Sequence, residues 1–383
     1  MENKSEKAEI IVNEKTNSLI KWIFIGTTLI FLATTIVFLA LFIHEKNKDK
    51  EIENPNDAIN ITNEWDKTFE KSDKVNHKKV TFHNRFGITL VGDLYEPKEK
   101  PNGKLPAIAI CGPFGAVKEQ ASGLYAQNMA ERGFITLAFD PSFTGESEGE
   151  PRYMTAPDIN VEDFQAAVDF LSVQDNVDEN KIGIIGICGW GGMALQTACI
   201  DTRIKATIVS TMYDMSRIAG NGYFDEQDNE ESRHNQRVAI NNQRTEDFKN
   251  NSYALAGGVV DPLPDDAPQF VKDYYAYYKT PRGYHKRSLN SNGGWAIQTN
   301  TSLMNTRLFR YSNEIRSAVM IVHGEKAHSC YMGKDAYENM IKGNKYTDNK
   351  ELVIIPDATH TDLYDQKDKI PFDKIENFLK ENL

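Results

Sequence analysis

A cysteine becomes a catalytic nucleophile when a sharp turn presents its sulfur, a base stands within reach, and N–H donors meet the charge that develops on an attacked carbonyl. In this chain of 383 residues Cys188 meets the first condition. It lies in KIGIIGICGWGG, residues 181–192, where an apolar, β-branched run gives way to glycines. Ile182, Ile184, Ile185 and Ile187 read as a central parallel strand covered on both faces. Gly186 and Gly189 permit a tight reversal at its end, and a helix starting near Gly191 aims its free N–H groups at the same spot. The pattern is that of a nucleophile elbow, GxSxG, with cysteine at the serine position.

The base is expected at His360. Residues 351–355, ELVII, read as a final strand, and the loop PDATHTDLY that follows puts His360 at that strand's carboxyl end. The order, nucleophile first and histidine near the C-terminus, suits that role. Asp357 and Asp362 beside it are expected to face solvent. The donors are expected from two backbones: the N–H of Phe114, in the loop CGPFGA of residues 111–116, and the N–H of Gly189. The chemistry of such a set is acyl transfer through a thioester-linked enzyme.

The elements that must position these residues follow a regular alternation. Strands are predicted at 80–82, 88–95, 107–111, 134–139, 182–187, 206–210, 318–323 and 352–355, with helices between most of them. Over 159–173 the helical period is plain, with Val161, Phe164, Val168 and Leu171 on one stripe. A hairpin followed by β/α units predicts a mostly parallel, doubly wound α/β sheet, whose ligand crevice lies beyond the strands' carboxyl ends. The loop FDPSFTGESEG, residues 139–149, is expected to shape that crevice. At about 214–312 the rhythm stops, too long for a simple connection, and this stretch is read as a cap. Its tyrosine stripe, Tyr274, Tyr275, Tyr277 and Tyr278, is expected to pack the cap onto the body, with some rings lining the pocket.

Composition narrows the function classes. A net charge of −11 with no basic stripe argues against a nucleic-acid partner. The four cysteines, Cys111, Cys188, Cys199 and Cys330, lie far apart without CxxC or Cys/His spacing, so neither a disulfide framework nor a metal site is expected. Residues 20–43 are nearly uncharged and long enough to cross a bilayer, which predicts a transmembrane helix after a short tail of residues 1–19. Lysines flank it on both sides, so the charge rule barely discriminates; the catalytic domain is expected on the external face of a cell membrane. A polar stalk is expected at 44–78 and the folded domain at 79–383.

The catalytic part resembles the α/β-hydrolase superfamily, and within it the cysteine-nucleophile relatives of dienelactone hydrolase. The resemblance rests on GICGWGGMAL (186–195), STMYDMSR (210–217), YYKTPRGYHKRS (277–288) and PDATHTDLYD (356–365). It implies an eight-stranded sheet, a covalent acyl-enzyme, a small-molecule acyl substrate and no cofactor. Two departures are visible. Where the superfamily carries a small residue two after the nucleophile, this chain has Trp190, expected at the pocket floor. The triad acid usually lies three residues past the glycine ending the seventh strand, which here is Ala327; the carboxylate expected to serve is Glu325, with Asp214 beyond the sixth strand as the alternative. The resulting expectation is a membrane-anchored hydrolase of ester, thioester or lactone bonds. Two other readings stand beside it: thiol redox chemistry between Cys111 and Cys188, and a binding module without catalysis on the same fold.

Overall fold

The computed structural model describes residues 61–383, apart from residue 63 and residues 100–102. The predicted span at 20–43, the tail before it and residues 44–60 of the stalk lie outside the described residues; among the described residues no helix is long and apolar enough to cross a membrane. The chain divides at Ala58, and the unit from Ile59 onward is the one described.

In chain order the elements are β1 (Val75–His83), β2 (Thr89–Pro97), β3 (Leu105–Cys111), α1 (Ala121–Glu131), β4 (Ile135–Phe139), α2 (Pro157–Ser172), β5 (Val177–Ile187), α3 (Gly189–Ala198), β6 (Ile204–Ser210), α4 (Met215–Asn221), α5 (Glu230–Asn250), α6 (Gln269–Tyr278), α7 (Leu289–Asn292), α8 (Thr299–Asn305), β7 (Ala318–Gly324), α9 (Cys330–Ile341), β8 (Lys350–Ile355), α10 (Asp362–Asp365) and α11 (Phe372–Asn382). They build one eight-stranded sheet in the order β1-β2-β4-β3-β5-β6-β7-β8. The β1–β2 and β2–β4 pairs are antiparallel and the other pairs parallel. Strand alternation splits the core into two layers. Ile108, Ile110, Ile185 and Ile187 pack toward α1 and α11, whereas Ala107, Ala109, Ile182 and Ile184 pack toward α2 and α3.

Two strands start about five residues before their predicted limits, β1 at Val75 and β5 at Val177. The β1 extension alternates more and less exposed residues, and the β5 extension is largely solvent-facing after Val177, so polar side chains hid both from an apolar pattern. The segment before β1 also differs from a free stalk. Lys67 Nζ lies 2.5 Å from Asp93, the Thr68 N–H donates to the Glu119 carbonyl at 3.0 Å, and Asp66 pairs with Arg287 at 2.9 Å.

These contacts belong to a buried ion network under the loop after β3. Lys118, wholly buried, places its Nζ 2.7 Å from Asp140, 2.6 Å from Glu146 and 2.8 Å from Glu119. Burial alone would depress its pKa, but Asp140 and Glu119 hold it well above the usual lysine range, so it stays charged. Asp140 and Glu146 come from the loop 139–149, which therefore braces the β3 loop rather than walling the crevice. Removing one partner from a buried ion cluster strands the others. Lys118→Met is expected to cost about 3 kcal/mol or more in urea unfolding, whereas Arg203→Ala, whose side chain is 43% exposed, should cost under ~1 kcal/mol.

Candidate active site

The strand β5 ends at Ile187, and Cys188 follows with φ 59° and ψ −127°, a left-handed value that a non-glycine residue adopts only under constraint. Its carbonyl accepts from the Gly191 and Tyr213 N–H groups at 2.9 and 3.0 Å, fixing the turn. The turn also needs α3 to cross very close to the strand. A Cβ on Gly186 would lie 2.1 Å from the Trp190 carbonyl oxygen, and one on Gly192 2.3 Å from that of Tyr213. The elbow geometry is therefore present at Cys188, and the backbone N–H groups of Gly189 and Phe114 favour its thiolate form against burial. That is the convergence an oxyanion hole requires.

His360 is buried beneath the cap. Its Nε2 meets the Tyr364 hydroxyl at 3.0 Å, and the same hydroxyl engages the Cys188 thiol. Tyr364 thus stands between the two groups. The spacing of four residues, with α10 beginning at Asp362, turns both side chains to one side. Tyr125 secures this loop by donating to the Leu363 carbonyl at 2.7 Å.

The other ring nitrogen departs from expectation. His360 Nδ1 lies 2.6 Å from Ser329 Oγ and 3.0 Å from Thr211 Oγ1. Neither proposed carboxylate is its partner. Glu325, half-exposed, accepts from the Asp357 N–H at 3.2 Å, while Asp214 caps α4 by accepting from the Arg217 N–H and the Ser216 hydroxyl. The chain leaves β7 in a turn that points Glu325 outward, and Ser329 occupies the buried place. Asp357 is exposed as expected, but Asp362 accepts from the Thr359 N–H at 2.8 Å and so shapes the histidine loop.

Burial makes this pair neutral. It pushes the Cys188 thiol up to about 11, against the hydrogen bonds from Tyr364, Gly189 and Phe114. It pushes His360 well below the usual imidazole range, helped by His328 and His323 with ring centroids 5.3 and 6.4 Å away. Burial thus works against a resting thiolate–imidazolium pair.

Two further expectations are corrected. Trp190 is buried in the α2–α3 layer against Phe164, away from the crevice; the indole at the pocket is Trp295, edge-on to Phe114 at 4.4 Å between centroids. The Cys111 thiol, fully buried, donates to the Phe139 carbonyl at 3.4 Å in that same layer, whereas Cys188 belongs to the opposite one; both are free thiols. Adjacent strands thus end with sulfurs on different faces, and the disulfide reading has no geometry behind it.

Residues 87–362 match the X-Pro dipeptidyl-peptidase (S15) family. The chain belongs to this family. Over 329 residues, 86% of each chain, it is 51% identical to the Pseudomonas aeruginosa protein PA2218. The crystal structure of PA2218 superposes with a TM-score of 0.80 at 50% identity, over 85% of this chain and 99% of that one. The α/β hydrolase GrgF of Penicillium sp. shares the fold, with a TM-score of 0.63 at 19% identity over 80% of this chain and 99% of GrgF. A thiohydrolase of Aspergillus aculeatus, AneE, is 36% identical over 132 residues, 34% of this chain and 40% of that one. This S15-family chain is an α/β hydrolase.

Residues unmarked in the sequence complete the site. Tyr364 stood inside the PDATHTDLYD segment, one helical turn past His360, and Ser329 two residues beyond the vacant acid position, so spacing could have flagged both. Asn290 could not be foreseen: its Nδ2 donates to the Phe114 carbonyl at 2.7 Å from a cap helix 176 residues away in sequence. Glu325→Gln is expected to leave kcat/KM for an activated ester within about twofold. Removing both hydroxyls, in Ser329→Ala with Thr211→Val, should lower it roughly tenfold, on the order of one hydrogen bond. Steady-state rates of the three proteins decide whether hydroxyls or a carboxylate orient His360.

Proposed function

We propose that this chain hydrolyses ester, thioester or lactone bonds through Cys188 as nucleophile and His360 as base, in the manner of the cysteine-nucleophile relatives of dienelactone hydrolase. The observation that carries it is one cavity that brings Phe114, the Cys188 turn and Tyr364 together, with the Tyr364 hydroxyl 3.0 Å from His360 Nε2. The name of the similar AneE, a thiohydrolase, fits a thioester among the substrates.

The reaction runs from neutral partners. As the sulfur attacks the carbonyl carbon, the thiol proton passes to the Tyr364 oxygen while Tyr364 passes its own to His360 Nε2. The Nδ1–H of His360 donates meanwhile to Ser329 or Thr211. The carbonyl oxygen, now negative, takes the N–H groups of Phe114 and Gly189. Collapse expels the alcohol or thiol, which leaves with the proton from His360. Water then attacks the acyl carbon while its proton passes to His360, the acyl–sulfur bond breaks to release the carboxylic acid, and the proton returns from His360 through Tyr364 to the sulfur, restoring the neutral pair. A tether formed by residues 20–43 would hold this reaction at a membrane surface, on its external face.

Cys188→Ala and His360→Ala should each lower turnover of p-nitrophenyl or thiophenyl esters at least ~1,000-fold. Tyr364→Phe should lower kcat about 100-fold with KM little changed. Wild-type rates in Cys188→Ala or His360→Ala sink the reading. Iodoacetamide labelling of Cys188 gives a pH test. Because the thiol pKa is raised to about 11, labelling should be slow at pH 7 and rise about tenfold per pH unit towards it. Fast labelling at neutral pH would point instead to a resting thiolate.

A further inference from the structure

If Cys188 and His360 hydrolyse an acyl bond, the cavity above the thiol decides which acyl group enters. It holds about 400 Å³, within the range of small-molecule pockets. Met215, Ile218, Val259, Val271 and Trp295 line it, with Phe114 beside the sulfur. Among the described residues that line it, none is charged.

Several polar groups in this wall are already engaged. The Tyr213 and Tyr274 hydroxyls share a hydrogen bond of 2.8 Å, and Tyr213 also meets His328 Nε2. Asn290 spends its Nδ2 on the Phe114 carbonyl. The nearby arginines face elsewhere: Arg217 pairs with Asp225 and with Asp335 at 2.7 Å, and Arg287 with Glu119 at 2.8 Å and Asp66 at 2.9 Å. A charged acyl group would lose its water here and find no partner. An apolar one gains with every methylene buried.

We propose that the pocket accepts uncharged, apolar acyl groups and rejects those carrying an ammonium or a carboxylate. The X-Pro dipeptide in the family's description, with its amino-terminal charge, is among the groups excluded. The proposal rests on the reading of Cys188 given above, and its test keeps the two apart.

The full chain in detergent is assayed on p-nitrophenyl esters. From acetate to hexanoate kcat/KM should rise about fourfold per methylene, and pentanoate and heptanoate should exceed hemisuccinate and 6-aminohexanoate by at least ~100-fold. Charged esters turned over within tenfold of the neutral ones would overturn the proposal. Val260, exposed at the rim, supplies a gain of function: Val260→Arg should raise the hemisuccinate-to-pentanoate ratio about tenfold. Calorimetry on Cys188→Ala separates pocket from chemistry. Methyl heptanoate should bind and methyl 6-aminohexanoate should not; equal binding refutes the pocket assignment whatever the rates. Selective binding without turnover by the unmodified chain would support the pocket and refute the thiol chemistry.

Discussion

Everything in this site depends on how closely α3 crosses the ends of β5 and β6. The backbone at Cys188 holds an unfavourable φ of 59° only because its own carbonyl is pinned by two N–H groups and because glycines at 186 and 192 leave room for two backbones. A side chain at either glycine would separate strand from helix by more than an ångström. The sulfur would then leave the point where the N–H groups of Phe114 and Gly189 converge. The elbow is thus a consequence of missing atoms, and its cost of roughly 1–3 kcal/mol is borne by packing on both sides of the sheet.

The second donor needs a different kind of support, since Phe114 lies on a loop and loops move unless tied. This one is tied from below and from above. Below, Lys118 and its three carboxylates anchor the residues just after it. Above, Asn290 and Ser288 of the cap bond to the carbonyls of Phe114 and Gly115. The segment 277–288 reaches further: Arg287 joins the ion network, while Arg282 grips Asp365 and the Thr361 carbonyl on the histidine loop. One stretch of cap therefore sets the positions of both the Phe114 loop and the His360 loop.

What could be read from the chain follows the range of the forces involved. Buried strands announce themselves by local composition, so the run at 182–187 and the histidine after ELVII were legible, as was a hundred-residue interruption. Partners set by side-chain direction were not. Glu325 and Ser329 are four residues apart in one turn, and only the path of the chain after Gly324 decides which faces His360. Trp190 was misplaced for the same reason: a helix rotation of one residue separates the pocket from the layer against Phe164. The ordered start of the domain was hidden because Asp66 and Lys67 are held in ion pairs, which composition reads as solvated charge.

Among the described residues the Nδ1 of His360 faces hydroxyls and no carboxylate, which would change what the proposed reaction can do. Two hydroxyls at Nδ1 fix the tautomer and the ring's direction, but they supply little charge to stabilise an imidazolium in a buried, uncharged setting. An alcohol nucleophile would place the whole burden of proton removal on such a base. A thiol, with an ordinary pKa near 8.5, places far less, and even at about 11 it yields its proton more readily than an alcohol. Sulfur at the elbow and hydroxyls behind the histidine are therefore consistent with each other. The same weakness argues for good leaving groups, because little proton donation is available to expel a poor one. In the proposed reaction the apolar cavity would add to this by raising the energy of every charge that forms away from the Phe114 and Gly189 N–H groups, leaving those two donors most of the transition-state stabilisation.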